Sequence, residues 1–137
     1  MIMGNVSERR RQPPQVGVSV VILALGPAAR ADDRNDQTRG TLWMPLVRRV
    51  RQPFLGQWAL PGGGLRADHS LEQSAYAALE STTSLHPRYL EQLYTMSQPD
   101  RDPRMRIIDI AYIALLPYGY EQSAVAGDDA KDARWVD

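Results

Sequence analysis

Val16, Val18, Val20 and Ile22 interleave with Gly17, Ser19, Val21 and Leu23 in one apolar run. β-Branched residues dominate it, so the run predicts a first strand over 16–25 buried on both faces. Gly17 interrupts the apolar pattern. Thr41 to Val50 predicts a second strand with Leu42, Met44 and Leu46 on one face. Pro45 inside it points to an edge or a bulge, because proline donates nothing to a ladder. Trp58-Ala59-Leu60 is a short extended piece that ends in Pro61-Gly62-Gly63-Gly64. From Leu71 the period changes. Leu71, Ala75, Ala78 and Leu79 recur at i, i+4, i+7 and i+8, which makes one apolar stripe and predicts a helix over 71–83. Ser70 is placed to cap it, Glu72 suits its first turn, and Pro87 stops it from continuing. Tyr89–Met96 and Ile107–Leu116 predict two more strands, separated by the turn-rich Pro99–Arg104.

The remaining stretches are polar. Residues 1–15 read as a flexible basic arm, 26–40 as a loop, and Tyr118–Lys131 as a further loop before the chain ends at Arg134-Trp135-Val136-Asp137. Arg9-Arg10-Arg11, the apolar run and Ala29-Arg30-Ala31 also trace the outline of a secretory signal. The alternation and the interrupting Gly17 favour a strand.

At 137 residues the chain has room for one core. Strands before and after one long helix predict an α/β sandwich around a mixed sheet. Apolar content is 43% and charged content 23%, ordinary for a globular domain. Net charge is zero, so no global field draws nucleic acid or membrane. There is no cysteine, which excludes thiolate catalysis, disulfides and cysteine metal sites. The two histidines, His69 and His86, are too few for a histidine metal cluster. No apolar run reaches the roughly 18 residues of a membrane span.

Four blocks in order carry a resemblance. They are Leu46-Val47-Arg48-Arg49 with Pro53 and Gly56; Trp58-Ala59-Leu60-Pro61-Gly62-Gly63 with its loop and helix; Tyr89–Leu93 with Pro99–Arg104 and Ile107–Leu116; and Ala126–Ala130 with Ala133-Arg134-Trp135. Together they cover about 16–137 and resemble the ADP-ribose branch of the Nudix superfamily. The resemblance implies a Nudix-type α/β/α sandwich around a mixed sheet, here expected to lack its last helix. The expected organisation is an arm over 1–15 and a C-terminally truncated Nudix-like domain over 16–137.

The Nudix box reads G-x5-E-x7-R-E-U-x-E-E-x-G-U, with U a bulky aliphatic. Its spacing fits from Gly63 to Leu85 without a gap. The first glutamate position is then His69, the Arg-Glu pair is Ala77-Ala78, the Glu-Glu pair is Ser81-Thr82, and the last glycine is Ser84. Leu79 keeps the aliphatic position. Relatives in the family cleave a pyrophosphate with Mg²⁺ held by helix carboxylates. Mg²⁺ sheds water reluctantly and needs anionic oxygen anchors, which alanine, serine and threonine do not supply. Glu72 and Glu80 sit elsewhere around the helix, since one residue turns a side chain by about 100°, and read as solvated charges. His69 reads as a plain loop histidine rather than a ligand.

What remains suits ligand binding. Gly62, Gly63 and Gly64 lead towards a helix N-terminus, where amides favour phosphate oxygens, although a tight strand-to-helix turn explains them equally. Arg101, Arg104 and Arg106, with Arg49 and Arg66, suit a diphosphate, or are solvated loop arginines. Trp58 reads as core packing before base stacking. Asp100, Asp102, Asp128 and Asp129 order their loops through arginines or stay solvated.

The emptied box on an ADP-ribose-branch pattern resembles the Nudix domain of NrtR-type transcriptional regulators of NAD metabolism. That resemblance implies a cytoplasmic, catalytically inactive domain that binds ADP-ribose or a related nucleotide diphosphate. It implies no cofactor, no membrane partner and a homodimer, with DNA bound only through a winged-helix domain absent from this chain. The alternatives are a Nudix hydrolase using Mg²⁺ on unconventional ligands, and an interaction scaffold. The box register has a direct test. Ala78→Glu, Ser81→Glu and Thr82→Glu together should create a Mg²⁺ site measurable by titration; a folded triple variant with no gain in metal affinity sinks the register.

Overall fold

A computed structural model of the chain describes residues 13–26, 41–117 and 133–136. The expected arm up to residue 12, most of the expected 26–40 loop, the 118–131 loop and the aspartates Asp128 and Asp129 lie outside the described residues. The elements are β1 (Gln15–Gly26), β2 (Thr41–Arg48), β3 (Trp58–Ala59), β4 (Gly62–Gly64), α1 (Leu71–Thr83), β5 (Glu91–Met96), β6 (Ile107–Leu116) and β7 (Ala133–Val136). They form a mixed sheet in the order β3-β2-β1-β6-β5, with β4 beside β1 and β7 beside β2. One helix is present among the described residues. It is not long and apolar enough to cross a membrane.

β1 organises the sheet. It runs parallel to β6 from Gln15↔Ile107 to Ala24↔Leu116. Its other edge pairs with β4 near its start and with β2 near its end. The apolar run is therefore a strand. It is not buried equally on both faces, however. Val18, Val20, Ile22 and Ala24 are sealed, while Val21 and Leu23 are half-buried and Leu25 is exposed. The sealed face meets α1, and Val18, Val20 and Ile22 cluster there with Ala75, Leu79, Leu85, Leu90, Tyr112 and Ala114. Burying each large aliphatic contributes about 1.5–3 kcal/mol, so this cluster dominates the stability of the fold.

The helix spans the predicted residues, and its ends are set locally. Ser70 Oγ accepts the Gln73 amide at 3.1 Å, and Gln73 Oε1 accepts the Ser70 amide at 2.8 Å. This reciprocal cap satisfies amides that a helix start leaves unpaired. At the far end Ser84 takes the left-handed conformation and its amide donates to Glu80 O, so the helix closes before Pro87 is reached. The buried stripe is wider than Leu71, Ala75, Ala78 and Leu79 suggest, because Ser74, Thr82 and Thr83 are buried too. Their hydroxyls are satisfied nearby. Thr82 Oγ1 donates to Ala78 O, Thr83 Oγ1 donates to Leu79 O, and Ser74 Oγ accepts the Arg66 amide.

Three boundaries differ from the sequence pattern. β2 stops at Arg48 rather than Val50, because Arg49 pairs with Gln57 and Gly56 across the turn that follows. β5 begins at Glu91 rather than Tyr89; Leu90 leaves the strand to fill the core, and Tyr89 is exposed. The chain's final residues form β7, which pairs with Met44–Val47 of β2. Pro45 sits where β2 changes neighbours: its ladder to β1 runs only to Trp43, and at Pro45 the registered partner is Trp135. The missing N–H therefore falls where one side of β2 has no described partner.

Leu79 is fully buried at the centre of the cluster. Leu79→Ala should lower unfolding stability by about 2–5 kcal/mol. Ser70→Ala should cost only about 1 kcal/mol. Urea titration of the two variants checks the order.

Candidate functional site

A cleft of about 960 Å³ opens between the start of β1, β4, α1, the end of β2 with its turn, and the segment leading into β6. All seven residues the sequence singles out for ligand contact line it: Arg49, Gly62, Gly63, Gly64, Arg66, Arg101 and Arg104. Sequence separation alone hides this, for they come from four different parts of the chain.

The glycines are not arranged as the sequence suggests. Gly62–Gly64 form β4, antiparallel to Gly17–Ser19, and the helix starts only at Leu71. The α1 amide of Gln73 is already taken by Ser70 Oγ. The helix N-terminus therefore does not follow directly on the glycines, as their place in the sequence suggests. What the glycines do is permit close packing. A Cβ on Gly62 would lie 2.6 Å from Val18 O, and one on Gly63 would lie 3.8 Å from Ala78 Cβ. The flanking bonds Val20 N→Pro61 O and Leu65 N→Val16 O fix the ladder phase. In an antiparallel ladder that phase turns the Gly63 amide towards β1 and the Gly62 and Gly64 amides away from it.

The arginines are held in distinct ways. Arg49 Nε donates to Pro53 O at 2.8 Å, and Arg48 Nε donates to Gly56 O at 2.9 Å with its guanidinium over the Trp58 ring. Both guanidinium groups thus bond to neutral carbonyls at the cleft's edge and keep their charge. Arg104 differs. Its Nε and Nη2 form a fork on Asp102 at 3.1 and 2.9 Å, and Asp102 also accepts the Arg104 amide. That hydrogen bonding holds the Asp102 carboxyl below the usual carboxylate range, outweighing its partial burial. The Arg104 charge is therefore shared with a carboxylate before any ligand arrives. Arg106 does not line the cleft; its Nη1 donates to Ser97 O. Trp58 is also absent from the lining and lies under Arg48.

The helix presents Ser74, Ala77, Ala78, Ser81 and Thr82 to the cleft. The four box positions Ala77, Ala78, Ser81 and Thr82 are thus on the face where the register requires them. The Ser81 and Thr82 hydroxyls both donate back to Ala78 O. Glu72 and Glu80 are exposed and lie off the cleft. The Glu72 charge acts on the tyrosine side instead: the Tyr76 and Tyr112 hydroxyls are pushed above their usual pKa, mainly by burial and then by Glu72. His69 does not line the cleft, and its Nδ1 is buried without a partner among the described residues. The acidic residues in the lining are Asp102 and Asp109. Among the described residues no three of His, Cys, Asp and Glu come together as a metal site.

Sequence reasoning missed Asp109, Gly17 and Ser74. Asp109 had a signal: it is the one charged residue in the apolar strand Ile107–Leu116. Gly17 had one too, as a lone glycine in a strand marks a close approach.

A mixed sheet with α1 over its β1–β4 side, and a cleft bounded by that helix, a glycine strand and an arginine turn, is consistent with the Nudix α/β/α fold. The chain belongs to the Nudix family: the NUDIX domain model matches residues 25–137. It is 35% identical over 115 residues to an ADP-ribose pyrophosphatase of Methanocaldococcus jannaschii, covering 84% of this chain and 64% of that protein. It is 31% identical over 100 residues to the ADPR responsive transcriptional repressor NtrR of Acinetobacter baylyi, covering 72% of this chain and 39% of that protein. The chain thus spans less than two thirds of either relative. Among solved structures it resembles the NUDIX domain of Shewanella oneidensis NrtR in complex with ADP ribose, with a TM-score of 0.73 and 30% identity over 96% of this chain and 77% of that one.

The Asp102–Arg104 pair gives a pH prediction. A depressed folded-state pKa contributes stability above the unfolded carboxyl value, and that contribution is lost as pH falls through the folded value. Arg104→Gln should move the Asp102 titration upward towards the ordinary range, read by carboxyl-carbon NMR. An unmoved midpoint would break the assignment. The pair is partly exposed, so its effect on global stability should stay below about 1 kcal/mol.

Proposed function

We infer that this Nudix domain is a binding module: it takes ADP-ribose or a related nucleoside diphosphate into the cleft and does not turn it over at an enzymatic rate. The observation that carries the reading is the cleft side of α1, where Ser74, Ala77, Ala78, Ser81 and Thr82 supply no carboxylate. Mg²⁺ requires near-octahedral oxygen ligands with anionic anchors. The Ser81 and Thr82 hydroxyls are neutral and directed to the helix's own backbone, and Ser74 Oγ accepts the Arg66 amide. Asp102 is committed to Arg104, and among the described residues no three His, Cys, Asp or Glu side chains come together as a metal site. The residues here do not fit the metal. Metal activation of water is worth several kcal/mol and a positioned base roughly 10²–10⁴-fold, so losing both leaves negligible hydrolysis.

Binding keeps its support. Six arginines line the cleft against two aspartates, an excess that suits a diphosphate. A similar Nudix domain is known with ADP ribose bound, and a similar repressor is named for its response to that nucleotide. On this reading the chain is the sensor part of a cytoplasmic, homodimeric regulator of NAD metabolism, with DNA contacted by another domain of the parent protein.

A second reading has one observation in its favour, the likeness to an ADP-ribose pyrophosphatase. Two measurements on the pure chain separate the readings. Calorimetry should show ADP-ribose binding; no heat at millimolar ligand points to a scaffold instead. Incubation with ADP-ribose and Mg²⁺ should release no AMP beyond background, whereas metal-dependent release at an ordinary enzymatic rate, about 1 s⁻¹ or faster, establishes the hydrolase.

A further inference from the structure

Asp109 is the least comfortable group in the cleft. It sits in the third position of β6 and is only 6% exposed. Its Oδ2 is buried and has no hydrogen-bond partner among the described residues. A buried carboxylate without partners is costly, because desolvation is not repaid by any donor. An acceptor left in that state inside a cleft calls for a donor from outside the chain.

The sheet shows where that donor sits. Gly17 is the registered partner of Asp109 on one side and of Gly64 on the other. The three residues form one cross-strand row, and directly opposed residues in a sheet face the same way. The row therefore holds one carboxylate followed by two positions without side chains. A Cβ on Gly17 would lie 2.9 Å from Asp109 Oδ1, so the carboxylate leans across Gly17 towards β4. A Cβ on Gly64 would meet nothing within 4 Å, so open space continues along the row. Gly17 is itself buried beneath that carboxylate, so the acceptor stands over Gly17 with open backbone beside it at Gly64.

We propose that Asp109 is a specificity-determining residue of this cleft: its carboxylate accepts a hydrogen bond from a neutral N–H or O–H donor of the nucleotide that lies over Gly64. The group recognised is the amino group of the base or a ribose hydroxyl. A phosphate is excluded from this position, because its oxygens would meet a carboxylate. The arginines take the diphosphate, and Asp109 selects what is attached to it. This rests on the nucleotide-binding reading above.

Calorimetry with ADP-ribose on the full chain and on Asp109→Ala and Asp109→Asn tests it, together with the melting temperature of each ligand-free protein. Both variants should bind more weakly, Asp109→Ala by roughly tenfold or more, the usual scale for a lost charged hydrogen bond. Both should melt at or above the wild-type temperature, since an unpaired buried charge has been removed. With inosine diphosphate ribose the gap between wild type and Asp109→Ala closes if the donor is the base amine. With ADP it closes if the donor is a hydroxyl of the terminal ribose. A gap that persists with both assigns the adenosine ribose. Equal ADP-ribose affinity in wild type and Asp109→Ala overturns the proposal while leaving the binding reading intact. A lowered melting temperature in both variants also overturns it, since the carboxylate then serves the fold. So does a gap seen only with Mg²⁺ present, which would make Asp109 a cation ligand. Failure of the wild type to bind ADP-ribose removes the binding reading and this proposal together.

Discussion

The long parallel ladder between β1 and β6 sets the position of nearly every group in the cleft. It fixes Gly17 opposite Asp109, and β4 on the other edge of β1 then brings Gly64 into the same row. It also fixes which face of β1 lies under α1, since Val18, Val20 and Ile22 must share a face with Tyr112 and Ala114 for the core to close. A slip of one residue would carry this whole apolar set to the wrong face. The hydrophobic core therefore secures the register, and the register secures the cleft. The apolar packing that holds this chain together and the pairing of Gly17 with Asp109 belong to the same two strands.

The helix lies against the glycine strand at a distance set by small residues. Ala78 and Gly63 face each other where the position of an added Cβ is in ordinary contact. A helix face of alanine, serine and threonine needs no partners from the ligand or from a metal. The Ser81 and Thr82 hydroxyls return to Ala78 O, and Ser74 Oγ accepts the Arg66 amide. In physical terms that face is a neutral surface, satisfied before anything binds. The positive charge in the cleft comes instead from Arg48, Arg49 and Arg51 around the end of β2, Arg66 before the helix, and Arg101 and Arg104 before β6.

Much of this was legible in the sequence. Helix periodicity from Leu71 to Thr83 is strong, and Ser70 and Glu72 mark its start, so its limits follow from local chemistry. The apolar runs of β1 and β6 are equally plain. The glycine run was harder. Gly62-Gly63-Gly64 before a helix looks like a phosphate turn, yet its backbone is used in a ladder with Gly17–Ser19. Only long-range pairing reveals that. The same limit hid the end of β5, where Leu90 follows the core rather than the strand, and hid β7, whose partner lies in β2. Arg101, Arg104 and Arg106 are indistinguishable as letters. In space Arg101 and Arg104 line the cleft, Arg104 shares its charge with Asp102, and Arg106 turns to Ser97 O.

Arg104 and Asp109 illustrate why counting charges in a cleft misleads. Asp102 accepts two guanidinium bonds and an amide, so its charge is balanced within the loop and adds little to the field a ligand meets. Asp109 has no such balance. Among the arginines, those bonded to carbonyls, Arg48 and Arg49, keep a full positive charge in a fixed place. A diphosphate is therefore attracted to the turn after β2 more than to the Arg104 side. The uncompensated carboxylate repels it from the Gly17 row. On the proposed binding reading, these two fields orient a nucleotide diphosphate along the cleft: phosphates towards the β2 turn, and a neutral donor-bearing group over Gly64. Orientation of this kind requires no catalytic group, and it is what a domain that recognises a nucleotide without cleaving it has to provide.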